Sequence, residues 1–156
     1  MRLVIVAVGR LKAGPEAELT ADYVARAQAI ARSIGLKGVE LIEVEGRPAG
    51  DARREAAALL KATPDDAVKI LLDERGETIA SRQIADKIAA WRDQGRRAAA
   101  FWIGGADGAA QGLKDQADEK WAFGRQTWPH RLVRAMLAEQ LYRASTLLSH
   151  SPYHRD

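Results

Sequence analysis

The sequence predicts an α/β fold, a mostly parallel sheet with helices on both faces. Three observations carry this. The run at 2–8 is continuously apolar after its first residue and rich in β-branched side chains, the composition of a strand buried on both faces. Segments with helical apolar spacing alternate with such runs along the chain. Glycines and a proline fall between the two kinds of segment, where the backbone must turn.

In chain order, 2–8 is the first strand. Pro15 opens a helix to about 32, with Leu19, Tyr23, Val24, Ala27 and Ile30 on one face, and Gly35 and Gly38 end it. A second strand covers 39–44. Residues 46–50 form a loop, and Asp51 caps a helix running to about 62. The third strand is 68–72. Ser81 caps the next helix, which carries Ile84, Ile88 and Trp91 on one side and closes at Gly95. The fourth strand, 98–103, ends in Gly104-Gly105-Ala106-Asp107-Gly108. A short helix at 113–120 and a brief fifth strand at 121–123 follow. The last helix spans about 132–149, with Val133, Met136, Leu137, Leu141, Ala144 and Leu148 on its apolar side. No repeat, low-complexity segment or linker interrupts the series, so 1–156 reads as one domain.

Composition removes several function classes. Hydrophobic residues at 47% and charged residues at 29% describe a folded globular chain rather than a disordered one. Cysteine is absent, which excludes disulfides, thiolate metal sites and cysteine nucleophiles and suits a reducing cytoplasm. The amino-terminal apolar run is too short for a secretory signal, and no apolar stretch approaches the ~20 residues of a membrane span. The net charge of +3 leans toward polyanions without deciding the matter. Its distribution is more informative. From His130 onward the chain holds Arg131, Arg134, Arg143 and Arg155 and all three histidines, against Glu139 and Asp156 alone.

Ligands of open α/β sheets bind beyond the carboxyl ends of the strands. That rule selects Leu72-Asp73-Glu74-Arg75-Gly76 and the 104–108 run. Read alone, the first is a charged corner and the second a tight turn; two such loops at neighbouring strand ends form one pocket. The glycine spacing matches neither the dinucleotide fingerprint, which would need glycine where Ile103 stands, nor the P-loop, since no Gly-Lys-Ser/Thr follows. A third element is 123–130, Phe-Gly-Arg-Gln-Thr-Trp-Pro-His. Gly124 and the bias that Pro129 puts on Trp128 keep it irregular, and its two aromatics either pack in the core or wall an adenine-sized pocket. The chain closes on Tyr153, His154 and Arg155, which offer stacking, proton transfer and a phosphate contact.

These pieces resemble, in order and spacing, the family of the bacterial ribosomal RNA large subunit methyltransferase H, which are small SPOUT enzymes. The resemblance runs from Val6-Ala7-Val8-Gly9 through Leu72-Asp73 with Gly76, Ile103-Gly104-Gly105 with Gly108, and Thr127, Pro129 and His130. It continues with Arg134, Glu139-Gln140, Tyr142-Arg143-Ala144 and the closing Tyr153-His154. It implies a carboxyl-terminal trefoil knot, a homodimer, and S-adenosyl-L-methionine (SAM) held by Leu72, Gly104, Phe123, Gly124, Arg125, Gln126, Thr127 and Trp128. At Arg125, Gln126 and Trp128 main-chain contacts are expected. The implied reaction is methyl transfer to N3 of a pseudouridine in 23S ribosomal RNA, within assembled ribosomes in the cytoplasm. SAM carries an activated methyl group, so neither a metal nor a covalent nucleophile is required.

The catalytic residues expected are His154, Tyr153 and Arg155. His154 either accepts the N3 proton or steadies the developing anion. The last helix carries Arg134 and Arg143 beside its apolar side, which predicts two-fold packing through this helix, with RNA meeting residues of both chains. Three other readings stand beside this one: an RNA-binding protein that keeps the fold without catalysis, a small α/β enzyme using another nucleotide, and a SPOUT enzyme with a different RNA target. SAM binding separates the first.

Overall fold

A computed structural model of the chain describes residues 1–46 and 51–154. The predicted loop at 46–50, apart from Gly46, and Arg155 lie outside the described residues. Five strands form one all-parallel sheet in the order β2-β1-β4-β3-β5: β1 (Arg2–Val8), β2 (Gly38–Val44), β3 (Val68–Thr78), β4 (Ala98–Ile103) and β5 (Glu119–Ala122). Between and after them lie α1 (Pro15–Ala31), α2 (Ala52–Ala62), α3 (Ser81–Asp93), α4 (Gln111–Gln116) and α5 (His130–Leu148).

Each strand residue of β1 after Arg2 is buried, because helices cover both faces of the sheet. Leu3, Ile5 and Ala7 face a core shared with α1, α3 and α5; Val4, Val6 and Val8 face one shared with α2 and α4. The central β4 begins with three alanines, all fully buried. Pro15 starts α1, where its missing N–H costs nothing. Asp51 caps α2 as expected, accepting from the Arg54 amide at 3.2 Å.

Two expectations are corrected. Ser81 is not a cap: the N-cap is Ala80, whose amide is taken by the Gln83 side chain at 2.8 Å, and the Ser81 hydroxyl donates to Gln140 on α5. The third strand does not stop at Leu72. It bulges and resumes, so that Trp121 of β5 pairs with Leu72 and again with Glu77. The polar run 73–76 has the composition of a terminal turn but is a bulge, which re-aims side chains at the sheet rim. Gly76 makes the bulge possible. A Cβ there would lie 2.7 Å from backbone atoms of Lys120 and Trp121, which cannot yield as a side chain does. Gly76→Ala is therefore expected to cost about 1–3 kcal/mol by overpacking, read as a lower urea midpoint with an unchanged slope.

After β5 the chain returns across the sheet. Residues 123–129 leave the β5 edge and pass the carboxyl ends of β3 and β4. They deliver α5 to the carboxyl ends of β1 and β2, where Arg134 reaches the Val8 carbonyl at 2.9 Å. The knot implied by the resemblance needs such a return.

Candidate active site

The strand-end loops and the returning segment enclose a cavity of about 810 Å³. Leu72 to Arg75 lie in the β3 bulge, Ile103 ends β4 and residues 104–109 follow it, and residues 121–124 and 126–130 close the cavity, with Lys114 of α4 and Val133 of α5 at its margins. Ligand pockets span roughly 300–1,000 Å³. Seven of the eight residues expected to hold SAM line it: Leu72, Gly104, Phe123, Gly124, Gln126, Thr127 and Trp128. Arg125 does not; its side chain is exposed.

The walls are fixed by specific contacts. The Thr127 hydroxyl donates to Glu74 at 2.8 Å, tying the returning segment to the β3 bulge. The Trp128 indole N–H donates to the Phe123 carbonyl at 2.9 Å, closing the segment on itself and leaving the ring partly exposed. Gly124 holds φ +99°, a backbone region that other side chains rarely adopt. The glycine loop is a tight turn in which the Gly108 amide donates to the Gly105 carbonyl at 3.1 Å.

Asp73 carries a largely buried carboxylate at the cavity wall. Burial acts to raise its pKa, but the Lys114 ammonium at 2.8 Å and the Arg75 amide outweigh it, and the carboxyl sits below its ordinary value. His130, the first residue of α5, also lines the cavity. Burial, then the charges of Arg134 and Arg131, push its pKa down, so it is a neutral imidazole near neutral pH. Among the described residues no group of three or more metal-ligating acidic or histidine side chains exists.

Arg134 is not a surface cation. It is 1% exposed, ion-paired to Glu43 at 2.7 Å and bonded to the Val8 carbonyl. The sequence reading placed Arg134 beside the apolar side of the last helix but could not see its partner 91 residues away.

Tyr153 and His154 dock on α5. The Tyr153 hydroxyl donates to Glu139 at 3.1 Å, its ring packs on Tyr142 with centroids 4.7 Å apart, and Arg143 lies over it at 4.9 Å. Burial, a hydrogen bond with Tyr23 and the Glu139 charge raise the Tyr153 pKa far above its usual value, so it stays protonated. Arg143 pairs with Glu139 and lies 3.2 Å from Nδ1 of His154. Since a guanidinium only donates, that contact makes Nδ1 the acceptor and leaves Nε2 carrying the proton of a neutral ring. Tyr153 and His154 thus lie on the middle and carboxyl half of α5, at Glu139 and Arg143, while the cavity lies at its amino end. His130 and Arg143 are 13 residues apart, or roughly 20 Å along the helix axis. Within one chain the two groups of expected site residues are not brought together.

Two residues escaped the sequence reading, Lys114 at the cavity margin and Glu55 behind the glycine loop. Lys114 gave no signal. Glu55 did: with Ala52, Ala56 and Leu59 it shares helical spacing, a carboxylate on an otherwise apolar stripe.

Fold and cavity together describe an α/β domain with a ligand-sized cavity at its strand ends. Residues 1–154 match the family described as "Predicted SPOUT methyltransferase". The chain belongs to that family and is a methyltransferase. It is 54% identical over 156 residues to the Ribosomal RNA large subunit methyltransferase H of Paracoccus denitrificans, covering 100% of both chains. It is 54% identical over 155 residues to that of Hyphomonas neptunium, covering 99% of each. Among solved structures it resembles a probable methylase family protein from Haemophilus influenzae, with TM-score 0.50 and 13% identity over 99% of this chain and 70% of that one, a likeness of fold.

Proposed function

We propose that this chain methylates N3 of a pseudouridine in 23S ribosomal RNA, using SAM, within the assembled ribosome in the cytoplasm, as a homodimer of single-domain chains 1–156. The observation that carries the reading is the cavity built by all three predicted loops, together with relatives of matching length named for ribosomal RNA methylation. The cavity suits SAM in size, and its floor at Gly104 is a place where side-chain bulk would intrude. Leu72, the Gly104 backbone and the segment 123–128 would hold it, with Phe123 and Trp128 as apolar walls. Bound there, SAM supplies an already activated methyl group.

The chain's own residues then align the acceptor and manage its N3 proton. His130, neutral and in the cavity wall, takes the proton directly or through water. His154, held by Arg143, steadies the developing anion, the second of its two expected roles. Tyr153 stays protonated and orients the tail through Glu139. Arg155, beyond the described residues, keeps its proposed phosphate contact.

A tail roughly 20 Å from its own cavity acts in the cavity of a second copy. An apolar groove supports this. Leu19, Tyr23, Phe123, Leu132, Ala135 and Met136 line a hollow of about 350 Å³ between α1 and α5, with Leu19 45% exposed. Phe123 lines both groove and cavity, so a second copy seated on the groove borders the cofactor site.

Mixed dimers test it. One protomer carries Gly104→Val and the other His154→Ala, each inactive as a homodimer. If the tail serves the other copy, the mixed dimer has one intact site and recovers roughly half the wild-type rate. If the tail serves its own chain, no intact site exists and the mixture stays inactive, which refutes the shared site.

A further inference from the structure

Glu55 has no part in the reading above, yet it is buried where a helix facing a core would carry an apolar side chain. It sits in the first turn of α2 and is 7% exposed. Its carboxylate meets the glycine loop. A Cβ added to Gly105 would lie 2.8 and 2.9 Å from its two oxygens, and the adjoining Gly105 amide favours the charged form of the carboxylate. The position is costly. Burial first, then the nearby charges of Asp107 and Asp51, raise the Glu55 pKa, a penalty that an alanine there would not incur.

The geometry of a peptide plane says what the arrangement does. In a trans peptide the carbonyl of one residue and the amide N–H of the next point in opposite directions. With the Gly105 amide toward the Glu55 carboxylate, the Gly104 carbonyl is therefore turned away from Glu55. Gly104 and Gly105 line the cavity and Glu55 does not. The glycine at 105 is required on the same account, because any side chain would strike the carboxylate that holds the amide.

We infer that Glu55 is a positioning residue that locks the Gly104–Gly105 peptide, so that the Gly104 carbonyl is offered as the acceptor for an amino or ammonium N–H of the cofactor. This rests on reading the cavity as the SAM site. Without Glu55 the peptide is free to turn, and the cavity would then present a donor where the ligand also brings a donor.

The test is calorimetry of SAM binding to the wild-type protein, E55Q and E55A, with melting curves for all three and steady-state methylation of ribosomes. A glutamine keeps an acceptor oxygen for the Gly105 amide, so E55Q is expected to bind SAM within about threefold of wild type. E55A is expected to bind at least tenfold more weakly, as when a buried partner is removed. The defect should appear in KM for SAM, with kcat at saturating SAM and KM for ribosomes unchanged, a split that general loosening of the fold would not give. A folded E55A with wild-type SAM affinity overturns the assignment, and so does an E55Q as weak as E55A.

Should E55A not fold, the amide proton of Gly105 decides. It should move upfield in E55Q as a charged acceptor becomes neutral, and an unmoved resonance overturns the brace. Wild-type protein without SAM affinity would instead sink the cofactor reading and the affinity claim with it, while the Gly105 resonance still reports whether Glu55 holds the loop.

Discussion

Replacing His154 with alanine is expected to lower methyl transfer to ribosomes by roughly 10²–10⁴-fold, the range for a positioned acid–base or anion-stabilising group. SAM affinity and the dimer should survive, because His154 is neither among the residues expected to hold SAM nor in the α1–α5 groove. The size of the effect follows from how the ring is held. Glu139 fixes Arg143 and Tyr153, and Arg143 occupies Nδ1 of His154. The imidazole is thus held at Nδ1 before RNA arrives, and alanine removes the ring without disturbing the residues that aim it. Single-turnover methylation, calorimetry with SAM and light scattering separate the outcomes. A wild-type rate from a folded His154→Ala protein removes the tail from the chemistry.

Gly104→Val is expected to abolish SAM binding while far-UV circular dichroism stays nearly unchanged. The structure refines the reason. A Cβ at Gly104 would contact the Gly108 and Ala109 backbone at 3.4–3.5 Å, which is ordinary packing, so Gly104→Ala should be tolerated. The two further methyls of valine must either push the 104–108 turn outward or occupy the cavity, and both remove ligand space. The strand itself is untouched, since β4 ends at Ile103. Undiminished SAM affinity by calorimetry in a folded Gly104→Val protein would take this loop out of the site.

The strands were the most legible part of the fold. The bounds of β1 and β4 agree with the sequence reading to the residue, because burial on both faces leaves an uninterrupted apolar run bounded by charge and glycine. The cavity loops were legible from the rule that ligands bind beyond strand carboxyl ends. What misled was local chemistry overridden by distant packing. Asp73-Glu74-Arg75-Gly76 has turn composition, yet pairing with Trp121 carries β3 on to Thr78. Ser81 looks like a cap until Gln140 claims its hydroxyl. Arg134 looks like a surface cation until Glu43 and Val8 bury it. The separation of tail and cavity was also hidden, because it depends on the length of α5 and on Tyr153 docking back onto Glu139. Glu55 could have been found, since a lone carboxylate on an apolar helical stripe needs a partner and the sequence cannot say which.

Methylation of ribosomal RNA from SAM at this cavity is open to direct measurement. The most direct measurement incubates the purified protein and methyl-labelled SAM with 70S ribosomes, and separately with naked 23S RNA, from cells lacking the protein. Mass spectrometry of the digested RNA then locates the label. The account predicts one labelled nucleoside, an N3-methylated pseudouridine of 23S RNA, formed in assembled ribosomes and lost with Gly104→Val. Label on another nucleotide, or none on ribosomes from a protein that binds SAM, would contradict it.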